Sequence, residues 1–373
     1  MIKLKVVILF ILVFITILLH LNLYNQRIKN ERKYLDDIQK RKGIKPIVKC
    51  DKVDIVYTWV NGSDPVHYEK RLKRLNLYNS TITDHATDLN RFRDLDGLKY
   101  SLRSIKKYVQ WINRIWIVTD DQKPTWLDEK LAKDAHIEII SHSELYRNHS
   151  HLPSFNSNSI ESNFHSLPDR VANCFLYLND DVYFNDHVDW GSDFFSNYKG
   201  QALYFGEWFA PKTVSKPNES WKYPIINSNL MLDRLFPSDS EQSETRAVAS
   251  HGVQVYNRHI LKSLYRDLQN EFEVCSSNSK RENTDIQLAF LYNHYTQKHY
   301  QCFTHKPINF YGGIVNDLNQ FTKTLDQLQN STNYKTACLN DGLSSSPNPK
   351  VLDIYYQYFN NKFPEPGTYE IID

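Results

Sequence analysis

The sequence predicts an α/β fold: a mostly parallel, Rossmann-like sheet flanked by helices, behind an N-terminal transmembrane helix. Three observations carry that prediction. Short runs rich in β-branched and aromatic residues alternate with helical periodicity, the pattern of right-handed crossovers and a parallel sheet. Three such runs end at or near acidic residues, where open sheets place their ligands. The segment from Val6 to Tyr24 contains no Asp, Glu, Lys or Arg. Among 373 residues, 45 basic side chains balance 43 acidic ones, so the totals carry no nucleic-acid footprint. The 24 tyrosines and 19 phenylalanines suit a packed core and argue against disorder.

The apolar stretch is about 19 residues, long enough to span a bilayer, and no small-residue cleavage signal follows it, which predicts an uncleaved anchor over residues 1–24. Lys3 and Lys5 before it and Arg27, Lys29, Arg32 and Lys33 after it give no orientation. Residues 25–50 read as a charged stem. Sequons at Asn79, Asn148, Asn218 and Asn330 would be glycosylated if the large part is lumenal. Cysteines 50, 174, 275, 302 and 338 show no zinc spacing; Cys174 reads as a buried thiol, and in an oxidising lumen Cys275 with Cys302 is one conceivable bridge among several.

Folding begins near Asp51. Ile55 to Val60 forms a strand closed by the turn Asn61-Gly62-Ser63-Asp64-Pro65. Leu95, Leu98, Leu102, Ile105 and Val109 share one face of a helix. Strands follow at residues 115–119, ending in Asp120-Asp121, and at residues 137–140. A third apolar run, Cys174 to Leu178, stops at Asn179-Asp180-Asp181, and two adjacent carboxylates there suit Mg²⁺ or Mn²⁺ carrying a diphosphate. Helical periodicity returns at Ile260 to Leu268 and at Ile286 to Asn293. Asn283 or Thr284 is placed to cap the second of these helices, with Asp285 in its first turn and Arg281 just outside, an anion site.

Several of these stretches together resemble the Stealth family of sugar-1-phosphate transferases. The resemblance runs through Asp54-Ile55-Val56-Tyr57-Thr58-Trp59-Val60-Asn61-Gly62-Ser63-Asp64, then Arg91-Phe92-Arg93-Asp94, Pro124-Thr125-Trp126-Leu127, His151 to Ser157 and Phe175 to Val182. Fainter blocks follow at Ser250-His251-Gly252 and Arg281 to Phe290, so that residues 51 to about 295 are covered. Gly97 stands where the family usually has Glu and Lys99 where it has Arg, and His251-Gly252-Val253-Gln254 lacks the proline and second histidine of a His-x-Pro-His-like pattern. The cysteine-rich Notch-like insert and EF-hand loop of the animal enzyme have no counterpart.

The resemblance implies a nucleotide-sugar-transferase-like sheet in a catalytic domain over residues 51–320, with a C-terminal extension over 321–373. It implies transfer of a sugar-1-phosphate, such as N-acetylglucosamine-1-phosphate, from a nucleotide diphospho-sugar to a hydroxyl of an acceptor glycan, releasing the nucleoside monophosphate. Asp180 and Asp181 are expected to hold Mg²⁺ or Mn²⁺. His251, Arg281 and Asp285 are the expected catalytic residues, with Asp285 orienting or replacing His251. Asp54, Trp59, Asp64, Arg91, Arg103, Asn156 and Ser157 are expected to bind substrate. The expected partners are the donor, the glycan acceptor and a membrane through the N-terminal helix, with no nucleic acid and with oligomerisation left open. The expected location is a single-pass Golgi or endoplasmic reticulum membrane. The rival readings are a metal-dependent glycosyltransferase releasing nucleoside diphosphate and an inactive carbohydrate-binding homologue.

Overall fold

The computed structural model describes residues 13–26, 28–29, 33, 43–46, 50–77, 89–238, 243 and 245–372. The elements that position the site are strands β1 (Val53–Thr58), β2 (Ile115–Thr119), β3 (Ile137–Ser141), β4 (Cys174–Asn179), β5 (Val182–Phe184), β6 (Gln254–Asn257), β7 (Asn309–Ile314) and β8 (Thr336–Asp341). With them come helices α1 (Pro65–Arg74), α2 (Gly97–Tyr108), α3 (Ser157–Ser162), α4 (Leu288–His299) and α5 (Pro349–Lys362).

The main sheet has the order β6-β4-β1-β2-β3. Strands β1 to β4 run parallel, and β6 is antiparallel to β4. All five residues of β2 and Val53 to Tyr57 of β1 are buried, which is why these strands read as continuous apolar runs rather than alternating ones. Ile55 pairs with Ile115 on one side and Leu176 on the other, so strands β1, β2 and β4 finish at one edge. That edge presents Trp59, Asp120-Asp121 and Asp180-Asp181 in neighbouring positions.

Helix α2 covers the sheet with Leu98, Leu102 and Ile105, which share a core with Ile55, Ile117 and Leu176. Removing one such leucine side chain costs about 2–5 kcal/mol. The helix starts at Gly97, later than the periodicity from Asp94 suggests, because Asp94 and Asp96 form the turn before it. Buried Ser101 and Ser104 then tie α2 to β5: Ser101 Oγ donates to Val182 O at 2.6 Å, and Phe184 N donates to Ser104 Oγ at 3.0 Å.

Strand β5 begins immediately after Asp181 and belongs to a second sheet, ordered β7-β8-β5. Strand β8 is antiparallel to β5 with Cys338 opposite Val182, and parallel to β7 with Cys338 opposite Tyr311. An aromatic core of Tyr100, Tyr183, Phe310, Phe321, Tyr355 and Phe359 seats this sheet and α5 against α2. The C-terminal segment therefore packs beside the main sheet's acidic edge.

Three expectations change. Among the described residues no helix is long and apolar enough to cross a membrane, so the transmembrane helix is not supported. Residues 13–26 form a helix with exposed side chains, while residues 6–12 of the expected span, much of the stem and the Asn79 sequon lie outside the described residues. The disulfide joins Cys50 to Cys174, and Cys275, Cys302 and Cys338 are free thiols. Register explains the pairing: Val53 lies opposite Cys174, so the chain entering β1 passes the start of β4, with the two cysteine Cα atoms 5.5 Å apart. Finally, α4 begins at Leu288 with Gln287 as its cap, accepting from Phe290 N at 2.5 Å. Asp285 thus precedes the helix, and Arg281 is not at a helix terminus.

Candidate active site

A cleft of about 350 Å³ opens at the acidic edge of the main sheet. Strand order lays out its floor. His142 follows β3, Asp120 follows β2, Trp59 follows β1, Asp180 and Asp181 follow β4, and His251 precedes β6; all of them line the cleft. At about 4.8 Å per strand, the four steps from β3 to β6 span roughly 19 Å.

Asp180 and Asp181 sit where β4 hands the chain to β5. Burial pushes the Asp180 carboxyl well above the usual carboxylate range, and repulsion from Asp181 and Asp94 adds to the shift. Asp181 Oδ2 accepts from Asn340 Nδ2 at 3.1 Å and from Cys338 Sγ at 3.4 Å, both on β8. Its Oδ1 is buried without a hydrogen-bond partner. Asp94 accepts from Trp59 Nε1 at 3.2 Å, and burial, then Asp96, pushes its carboxyl up to about 6. Gly97 closes on this corner, since a Cβ there would stand 2.5 Å from Asp180 O. The Glu that the resemblance expects at this position has no room on this backbone.

Arg91, Arg93 and Arg281 line the same cleft. Arg281 donates to Ser157 Oγ at 3.0 Å, and burial and the neighbouring Arg91 push its guanidinium down to about 10. Arg93 pairs with Asp341 of β8 at 2.9 Å. Glu161 on α3 accepts from Tyr177 Oη at 3.0 Å and is pushed up to about 7 by burial, with Arg281 acting in the opposite direction. His251 is exposed, its ring centroid 5.1 Å from that of Tyr311. At the far end His67 and His142 are buried, each with an unpartnered Nδ1; burial lowers both, His142 to about 4.

Of the residues singled out in the sequence, the cleft brings together Trp59, Arg91, Ser157, Asp180, Asp181, His251 and Arg281. Trp59 stands just past the end of β1 rather than mid-strand. The others lie elsewhere for identifiable reasons. Asp54 is fully buried at the opposite end of β1, accepting from Asn113, Trp116 and Ala172 N, and is a structural acceptor. Asp64 caps α1 by accepting from His67 N at 2.9 Å. Arg103 holds Glu370 through two hydrogen bonds, at 2.5 and 2.8 Å. Asn156 caps α3 and donates to Asp285 Oδ2 at 2.9 Å. Asp285 is fully buried and also accepts from Asn158, Asn278 and Glu282 N, which makes it the clamp beneath Arg281 and Ser157 rather than a partner for His251.

Sequence reasoning missed Asp94, Glu161, His67, His142, Asn340 and Asp341. Asp94 lay inside the Arg91-Phe92-Arg93-Asp94 block. Asn340 and Asp341 had no signal, because their segment reads as a tail.

The chemistry of the acidic corner fits a divalent cation. It offers hard oxygens, one of them buried and unpartnered, and a mutual repulsion that positive charge relieves. Among the described residues, no three His, Cys, Asp or Glu side chains form a ready cation cage.

Comparison with known proteins follows the same blocks. Stealth protein conserved region 1 matches residues 51–78, conserved region 2 residues 91–203 and conserved region 3 residues 250–298. An exopolysaccharide phosphotransferase of Streptomyces coelicolor is 32% identical over 249 residues, 65% of this chain and 25% of that protein. The capsular polysaccharide phosphotransferase WcwK of Streptococcus pneumoniae is 29% identical over 346 residues, 86% of this chain and 98% of that one. Thus the chain spans a quarter of the first relative and nearly all of the second. Among solved structures, the apo bifunctional glycosyltransferase WbbM shares 12% identity at a TM-score of 0.39, covering 87% of this chain and 51% of that one, a likeness too distant to carry argument. The Golgi or endoplasmic reticulum membrane location is corrected by these findings: the relatives are bacterial capsule and exopolysaccharide enzymes, and no described helix can cross a membrane.

Proposed function

This chain belongs to the Stealth family of phosphotransferases, and on that premise we propose that it moves a sugar-1-phosphate from a nucleotide diphospho-sugar to a glycan hydroxyl. The acceptor oxygen forms a bond to the β-phosphorus, the bond from that phosphorus to the bridging oxygen breaks, and nucleoside monophosphate leaves. One observation carries the reading: paired carboxylates, an exposed histidine and a half-buried arginine line one cleft.

In this reading Asp180 and Asp181 would hold Mg²⁺ or Mn²⁺ against the diphosphate, where the ion supplies charge neutralisation of the phosphate oxygens. Asn340 fixes the Asp181 carboxylate. Arg281 and Arg91 place positive charge near the transferring phosphoryl group, and the bond to Ser157 holds the Arg281 guanidinium in position. The His251 imidazole takes the acceptor proton; its exposure leaves it reachable by an incoming hydroxyl. Strand order supports one orientation of the donor: nucleoside toward Trp59, His67 and His142, diphosphate at Asp180 and Asp181, acceptor at His251.

The test incubates purified protein and Mg²⁺ with a panel of nucleotide diphospho-sugars and follows release of nucleoside monophosphate. Asp181→Asn and His251→Ala should each lower turnover by about 10²-fold or more, the scale of losing one acid–base or charge-stabilising group. Unchanged turnover in both variants would remove the proposed site.

A further inference from the structure

Strand β7 places a large aromatic ring at the acceptor end of the cleft. Its residues alternate between faces: Phe310, Gly312 and Ile314 are buried, while Asn309, Tyr311 and Gly313 lie on the other face. In register with these three, on parallel β8, are Thr336, Cys338 and Asn340. Cys338 and Asn340 both reach Asp181, so this face looks toward the acidic corner. Asn309 Nδ2 donates to His251 O at 2.6 Å, and a Cβ on Gly252 would stand 2.2 Å from the Asn309 side chain, so the strand is seated firmly against the His251 turn.

Tyr311 nevertheless leaves 56% of its surface exposed, its ring 5.1 Å from the imidazole of His251. Next to it on the same face, Gly313 presents no side chain, and a Cβ there would have only Val315 within 4 Å, at 3.6 Å. The result is a ring with open space beside it, bordered by His251. A hexopyranose has an apolar C–H face and a polar rim, which suits a flat aromatic surface with a hydroxyl at its tip. In the donor orientation proposed above the nucleoside lies toward Trp59 and His142, which the strand order puts on the other side of the carboxylates from His251.

We propose that Tyr311 is the stacking platform for the acceptor sugar, holding a pyranose ring so that one hydroxyl faces His251. The proposal rests on the phosphotransfer reading above for its direction.

The test uses the full chain as wild type, Tyr311→Ala and Tyr311→Trp, with saturating nucleotide diphospho-sugar and the methyl pyranosides of mannose, glucose, galactose and N-acetylglucosamine as acceptors. For the accepted pyranoside, Tyr311→Ala should raise the acceptor KM at least tenfold while kcat, the donor KM and donor hydrolysis stay within twofold. Tyr311→Trp should restore the KM, because a ring rather than the hydroxyl does the holding. Saturation-transfer NMR should show contact from protein to the sugar C–H protons in wild type and lose it in Tyr311→Ala. An unchanged acceptor KM in Tyr311→Ala, a raised donor KM, or no saturation transfer to any of the four sugars in wild type overturns the assignment. If sugar contact depends on Tyr311 while wild type neither transfers nor hydrolyses any donor, the platform stands and the phosphotransfer reading falls.

Discussion

Glu161, next in sequence to the cleft-lining Ile160, shows how a single side chain couples to solution conditions. Burial raises its carboxyl from 4.5 to about 7. Between those values the folded chain keeps a proton that the unfolded chain has released, so raising the pH through this window costs stability. The melting temperature of wild type should therefore fall more steeply from pH 4.5 to 7 than that of Glu161→Gln, and parallel slopes would contradict the buried placement. Arg103 makes the complementary case. It pairs with Glu370, whose side chain is 3% exposed, so Arg103→Ala leaves a buried carboxylate unpaired and should cost about 3 kcal/mol in denaturant unfolding, with turnover per folded molecule unchanged. A large loss of turnover with intact stability would return Arg103 to the substrate. From sequence, residue type alone could not separate such roles: Asp54 and Asp180 are both aspartates beside apolar strands, and only the direction of the strand puts one at the wrong end. Asp180-Asp181 was legible because two adjacent charges closing a buried run are costly anywhere except at a rim.

Helix α2 joins the sheet to the site. Its first residue, Gly97, lets the helix start directly against the Asp180 carbonyl, and Ser101 and Ser104 bind the strand that follows Asp181. Gly97→Ala would push on that backbone, since 2.5 Å is inside van der Waals contact. It should lower kcat/KM at least tenfold while the far-ultraviolet circular dichroism is unchanged, and wild-type activity in the variant would show that the β4 to β5 turn can yield. Strands β1 to β4 and α2 were legible because each carries its own local signal, an apolar run or a 3.6-residue period. The start of α4 was not. Asn283 and Thr284 look like caps, but Asp285 is drawn into the clamp with Asn156, Asn158 and Asn278, and that tertiary demand delays the helix to Leu288.

The fold as a whole turns a parallel sheet into a one-sided cleft and then closes that cleft with chain from far along the sequence. The parallel order followed from alternation of strands and helices. The closure did not, because Thr336–Asp341 is a short strand whose partners, β5 and β7, lie in segments with weak patterns of their own. Its arrival sets Asn340 and Cys338 on Asp181 and Asp341 on Arg93, so the C-terminal segment shares in building the acidic corner. The account's central claim is that this corner grips a diphosphate while the bond to its β-phosphorus is exchanged. A nucleotide diphospho-sugar carrying ³²P at the β-phosphate tests that claim most directly. Label appearing in the acceptor as a phosphodiester, with unlabelled nucleoside monophosphate released, is the predicted result; label remaining in a released nucleoside diphosphate would contradict it.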